Sequence, residues 1–106
     1  MKKTTIFLFG IFLFSLGCNQ IPAIEEYGQH YQKHNDYISL IKVVELIKLD
    51  ADTSYVKAIL GEPLDMGFDY RYLVDSIGLK DCSIGAVFHI DNEGKIDQKW
   101  IDEICE

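Results

Sequence analysis

The hydrophobic period of this chain changes once, around Gly61-Glu62-Pro63. Upstream, Tyr37, Leu40, Ile41, Val44 and Ile47 recur every three or four residues, followed by Val56, Ile59 and Leu60. Downstream, Phe68, Tyr70, Tyr72 and Val74 alternate with Asp69, Arg71 and Asp75. The first spacing gathers apolar side chains on one stripe of a helix, and the second gathers them on one face of a strand. Helical segments followed by a run of strands imply an α+β domain, with the helices packed on one face of an antiparallel sheet.

The punctuation fits that order. Asn35 or Asp36 caps a helix that ends near Leu49, where Asp50-Ala51-Asp52 breaks it. Asp52 or Thr53 caps a shorter helix through Leu60, Gly61 supplies its left-handed stop, and Pro63 prevents continuation. In the next strand Ile84, Ala86, Phe88 and Ile90 alternate with Ser83, Gly85, Val87 and His89. Asp91-Asn92-Glu93-Gly94 is a hairpin turn, after which Ile96, Trp100 and Ile104 carry the apolar side and Gln98 interrupts it. Matching apolar faces pairs residue 88 with 98 and residue 86 with 100. The expected topology is ααβββ, two helices on a three-stranded meander, spanning residues 36–106.

The N-terminus has a different character. Met1-Lys2-Lys3 precedes an apolar run from Ile6 to Phe14, about a dozen residues, and Ser15-Leu16-Gly17-Cys18 closes it. A membrane-spanning helix needs roughly 20 apolar residues, so the run reads as the core of a secretory signal over residues 1–17. The small Gly17 before Cys18 resembles a bacterial lipobox, in which the signal is cut before the cysteine and the thiol is acylated. Asn19, where an Asp would retain such a protein at the inner membrane, points to the outer membrane, facing the periplasm. Residues 18–35 are expected to form the lipidated cysteine and a tether, with residues 24–34 left open between a weak helix and a loose segment. Membrane attachment would then be through an N-terminal lipid anchor.

With Cys18 acylated, Cys82 and Cys105 remain as an even pair, and an oxidising compartment turns such a pair into a disulfide. Closing that loop adds about 3 kcal/mol on a chain-entropy basis. The matched strand faces leave Cys82 opposite Ile104, one residue short of Cys105, so a bulge or an early end to the pairing is needed. Glu26, His30 and His34 would share one face of a helix, and two histidines four apart with a carboxylate suit Zn²⁺. No fourth ligand accompanies them, and the set reads as a solvated face with no metal. No cofactor is expected.

Charge narrows the function. The chain has 17 acidic and 10 basic residues, a net charge of −7, and removing the signal takes away two lysines and no acid, leaving about −9. Nucleic-acid binding needs a basic patch, which is absent from the sequence. No nucleotide loop or nucleophile motif is present. Asp97, Asp102 and Glu103 are candidates for acid–base work, but nothing in the sequence places two of them in one cleft. The expectation is a non-enzymatic protein with a protein partner and no small-molecule substrate. By alternation, Asp69, Arg71, Leu73, Val87, His89, Lys99 and Ile101 lie away from the helices and form the expected binding patch. Tyr70, Tyr72 and Trp100, on the other face, are the alternative set.

Three segments carry a family resemblance: Thr53-x-x-Val56-x-x-x-Leu60-Gly61-x-Pro63, Tyr70-x-Tyr72, and Val87-Phe88-x-Ile90-Asp91-x-x-Gly94-Lys95. Together they resemble the SmpA/OmlA family of small outer-membrane lipoproteins, over about residues 46–101. The same unit is similar to the repeat of the β-lactamase inhibitor proteins. The first resemblance implies an envelope lipoprotein that acts as an accessory factor in outer-membrane assembly. The second, together with the acidity, implies an inhibitor or immunity protein that blocks a basic exported enzyme or toxin.

Overall fold

The computed structural model describes residues 21–105. The signal segment and Cys18 lie outside the described residues. Three helices precede a four-stranded antiparallel sheet, so the α+β class and the order of helices before strands are as expected. Both element counts are one higher than the sequence suggested.

The additional helix is α1, Ala23–His34, in the stretch assigned to a tether. Pro22 precedes it, Glu25 and Glu26 lie in its first turn, and Lys33 and His34 in its last, all favourable to the helix dipole. Asn35 ends it in the left-handed conformation, its N–H donating to the Tyr31 carbonyl. The helix is part of the core. Tyr31 is buried, its hydroxyl donates to the Leu73 carbonyl at 2.6 Å, and its ring meets Tyr72 edge-on. Burial and the nearby Asp75 carboxylate push the Tyr31 pKa up to about 12. Gly28 lies so close to the backbone of Ile59 that a Cβ there would overlap it. The folded domain therefore includes residues 23–34, which the sequence had placed in a tether.

Helix α2, Tyr37–Leu46, starts at Asp36, whose carboxylate accepts from the Ser39 N–H at 3.0 Å. It stops three residues earlier than expected and buries Leu40, Val43 and Val44, while Tyr37 points outward. Helix α3, Thr53–Leu60, ends at Gly61 with φ 87°, as its sequence required. The Gly61 carbonyl accepts from the Tyr72 hydroxyl, tying the helix stop to the sheet.

The sheet runs β1 (Leu64–Asp65), β2 (Asp69–Ile77), β3 (Ser83–Ile90) and β4 (Ile96–Ile104), in that spatial order. Strand β1 has two residues, too few to show any alternation in the sequence. The helices cover the face carrying Tyr70, Tyr72, Val74, Ala86 and Phe88, which join Leu40, Val43, Ile47 and Val56 in one core. The turn between β3 and β4 is stitched to the segment between α2 and α3. Asp50 N–H donates to the Ile96 carbonyl, Ile96 N–H to Ala51, and Lys95 pairs with Asp52 at 3.3 Å.

The pairing of β3 with β4 differs by one residue from the apolar-face match. Ile90 faces Ile96 but His89 faces Gln98, so Asp97 is an extra, bulged residue. Beyond it Phe88 faces Lys99, Val87 faces Trp100 and Ala86 faces Ile101. A one-residue slip moves every side chain to the other face. Lys99 and Ile101 therefore turn toward the helices, and Trp100 turns away from them.

The same shift aligns the cysteines. Ser83 faces Ile104, which brings Cys82 level with Cys105, and the two are joined in a disulfide with Cα atoms 5.2 Å apart.

Candidate interaction surface

With the helices on one side, the other side of the sheet is open. Its central row crosses all four strands, pairing Leu64 with Arg71, Arg71 with Val87, and Val87 with Trp100. The next row runs from Leu73 through Gly85 to Asp102. Leu73 and Ile104 close over Gly85, where any Cβ would meet them at 3.0 Å and the Tyr72 carbonyl closer still. Val87 is only 5% exposed although no helix covers it, because long side chains flank it on both neighbouring strands. Trp100 is 40% exposed.

The charged groups of this face are held in place. The Arg71 Nε donates to Asp69 at 3.1 Å, and Asp69 is almost wholly buried. At the rim, His89 Nδ1 and the bulged Asp97 are 2.7 Å apart. Asp69, Arg71, Val87, Trp100 and Asp102 contribute to a shallow hollow of about 210 Å³. Sites for drug-sized ligands enclose about 300–1,000 Å³, so this one suits a single side chain of a partner.

The expected binding residues separate accordingly. Leu73, Val87 and His89 are on the open face, as read from alternation, and the bulge adds Trp100 to them. Ile101 leaves the patch, being packed against the core, and Lys99 leaves with it. Tyr70 and Tyr72 are buried under the helices, so the alternative set is broken up: two of its members are core and the third belongs with Val87. Leu64 and Ile104 complete the patch. Neither was signalled, because β1 is too short to read and the face of Ile104 depends on the bulge.

The other candidates have local explanations. His30 Nδ1 lies 2.8 Å from both an Asp36 oxygen and the Ser39 hydroxyl. A relay for nucleophilic catalysis needs acid and nucleophile on opposite ring nitrogens, whereas both share one here, reinforcing the start of α2. Slight burial opposes ionisation of Asp36, but hydrogen bonds from Ser39 and His30 outweigh it and hold its pKa at about 2. His30 and His34 stack at 4.4 Å, and Glu26 completes no ligand set with them. Among the described residues, the donors that converge closely enough for a metal are Cys82, Cys105 and Glu103. The two sulfurs are joined, and Glu103 accepts from the Cys82 N–H at 2.9 Å. Asp97 bonds His89, and Asp102 accepts from the Glu103 N–H, so these three carboxylates each have a local partner.

No family model matches the chain, and no curated protein or solved structure does so significantly. Among the described residues no helix is long and apolar enough to cross a membrane.

Proposed function

We propose that this protein is a non-enzymatic envelope lipoprotein, anchored through Cys18 on the periplasmic side of the outer membrane, that binds a protein partner through the open face of its sheet. The observation that carries the reading is the row Leu64–Arg71–Val87–Trp100, which sets an apolar strip beside an oriented Arg–Asp pair and a half-exposed Trp. Trp and Arg are the residues most enriched where interfaces concentrate their energy, and an apolar centre with a polar rim is the usual anatomy. The resemblance to SmpA/OmlA lipoproteins favours a role beside an outer-membrane assembly factor. The net charge of about −9 after signal removal favours the second reading, an inhibitor or immunity protein facing a basic exported enzyme or toxin.

The test is recovery of partners from gently solubilised envelopes with the tagged lipoprotein. Trp100→Ala should reduce recovery at least tenfold with an unchanged circular dichroism spectrum, and Ile38→Ala, on the exposed side of α2, should not. Equal recovery by all three proteins removes the sheet as the binding surface. Loss of a recovered enzyme's activity on binding decides for the inhibitor reading.

A further inference from the structure

The sheet does not hold all of the exposed apolar surface. Ile21, Leu46, Leu49 and Tyr55 are each between 42% and 53% exposed. Leu46, Leu49 and Tyr55 border one open hollow of about 550 Å³, with Lys48, Asp50 and Asp52 around it.

This apolar group lies at the end of the domain where α1 begins. Helices α1 and α3 run side by side in the same direction: Glu25 borders a hollow with Tyr55, Gly28 touches Ile59, and Gln32 bonds the Ile59 carbonyl. Helix α2 runs back along α1, since His30 meets Asp36 and Ser39 at the start of α2. Seven residues separate Ala23 from His30 and Ser39 from Leu46, about 10 Å at 1.5 Å per residue, which brings Leu46 level with the first turn of α1. Trp100 is on the face of the sheet turned away from the helices.

We propose that this end of the domain rests on the bilayer, with Leu46, Leu49 and Tyr55 entering the interfacial layer of a zwitterionic phospholipid surface. The proposal rests on the lipid-anchor reading of Cys18. Five residue steps separate Cys18 from Ala23, and an extended chain covers at most roughly 3.5 Å per step, so an acylated Cys18 keeps the start of α1 within about 17 Å of the membrane. The apolar group is therefore the surface that the anchor presses toward lipid. Tyr55 suits the headgroup level, with an apolar ring and a polar tip. Asp50, Asp52 and Glu25 outnumber Lys48 around the group, which selects neutral headgroups over anionic ones.

The experiment uses the full processed lipoprotein in phosphatidylcholine vesicles whose acyl chains carry bromine, a contact quencher of indole. Trp100 is the one Trp of the chain. A Trp100→Phe, Leu49→Trp protein moves the reporter to the apolar group, and Trp100→Phe, Tyr55→Trp provides a second position. We expect at least twofold quenching at both new positions and weaker quenching at native Trp100, with the mass of the intact protein reporting acylation. Acylated protein with unquenched reporters at 49 and 55, the result expected if another protein fills the hollow, overturns the bilayer contact and leaves the anchor standing. Quenching of non-acylated protein at these positions supports the contact and overturns the anchor. Absence of both acylation and quenching overturns both.

Discussion

Lys99 closes the end of a helix that begins more than fifty residues before it. Its Nζ lies 2.5 Å from the carbonyl oxygen of Val44 and 2.6 Å from that of Ile47, the last orphan acceptors of α2. The terminal carbonyls of a helix have no intrahelical donor, and a cation there also meets the negative end of the dipole. Ile47 itself is extended and buried, so these acceptors lie where the chain turns into the core.

Replacing Lys99 by Met keeps the alkyl stem and removes the donor. Two partly buried carbonyls then lose their charged partner, and the expected cost is about 1–3 kcal/mol. Urea unfolding of Lys99→Met against the parent, followed by circular dichroism, measures it.

The register that aligns Cys82 with Cys105 leaves Asp97 unpaired at the far end of β4. Deleting Asp97 removes the bulge and sets Gln98 next to Ile96, so regular pairing from Ile90 and Ile96 onward keeps Phe88 opposite Lys99 and Cys82 level with Cys105. The expected outcome is a retained Cys82–Cys105 link, seen as the absence of alkylatable thiols in unreduced protein. Cys105→Ser, which leaves the register alone, should cost about 2–4 kcal/mol. Free thiols at both positions in the deletion protein contradict the account.

Asp36 makes the cap of α2 sensitive to acid. Its pKa falls from 3.8 to about 2 on folding, so the folded state binds the proton more weakly than the unfolded chain does. The contribution is therefore complete above about pH 4 and is lost as the pH falls toward 2. Asp36→Ala should cost about 1 kcal/mol at pH 7, the usual worth of such a cap, and the difference from the parent should vanish near pH 2. Thermal unfolding of both proteins between pH 2 and 7 gives the comparison. A gap that persists at pH 2 would place the effect outside the carboxylate.

Much of the fold was legible because its signals are local. Asp36 capping α2, Gly61 stopping α3, and the alternation of Tyr70, Tyr72 and Val74 each depend on a few neighbouring residues, and each is where the pattern put it. Helix α1 was written there too, in Ile24, Tyr27, Gly28 and Tyr31 at positions i, i+3, i+4 and i+7. Gly28 broke the apolar stripe to the eye, because a glycine that exists to let α1 approach Ile59 looks in isolation like a flexible residue.

The candidate surface was only half legible for a different reason. Alternation sorts the side chains of one strand into two faces, and on β2 and β3 that sufficed for Leu73, Val87 and His89. It carries across to the next strand only if the register is known, and Asp97 changes the register after the turn. A bulge has no composition of its own. It is chosen by the whole set of contacts that follow: Lys99 reaching the end of α2, Ile101 reaching the core, and Cys82 meeting Cys105. The sequence by itself determined the class of fold, the caps and stops, and the pair of cysteines available to join, since these follow from local backbone preference and side-chain period. Only the tertiary structure decided that Trp100 faces outward beside Val87 while Lys99 and Ile101 face in, because that choice minimises the free energy of contacts between elements distant in the chain.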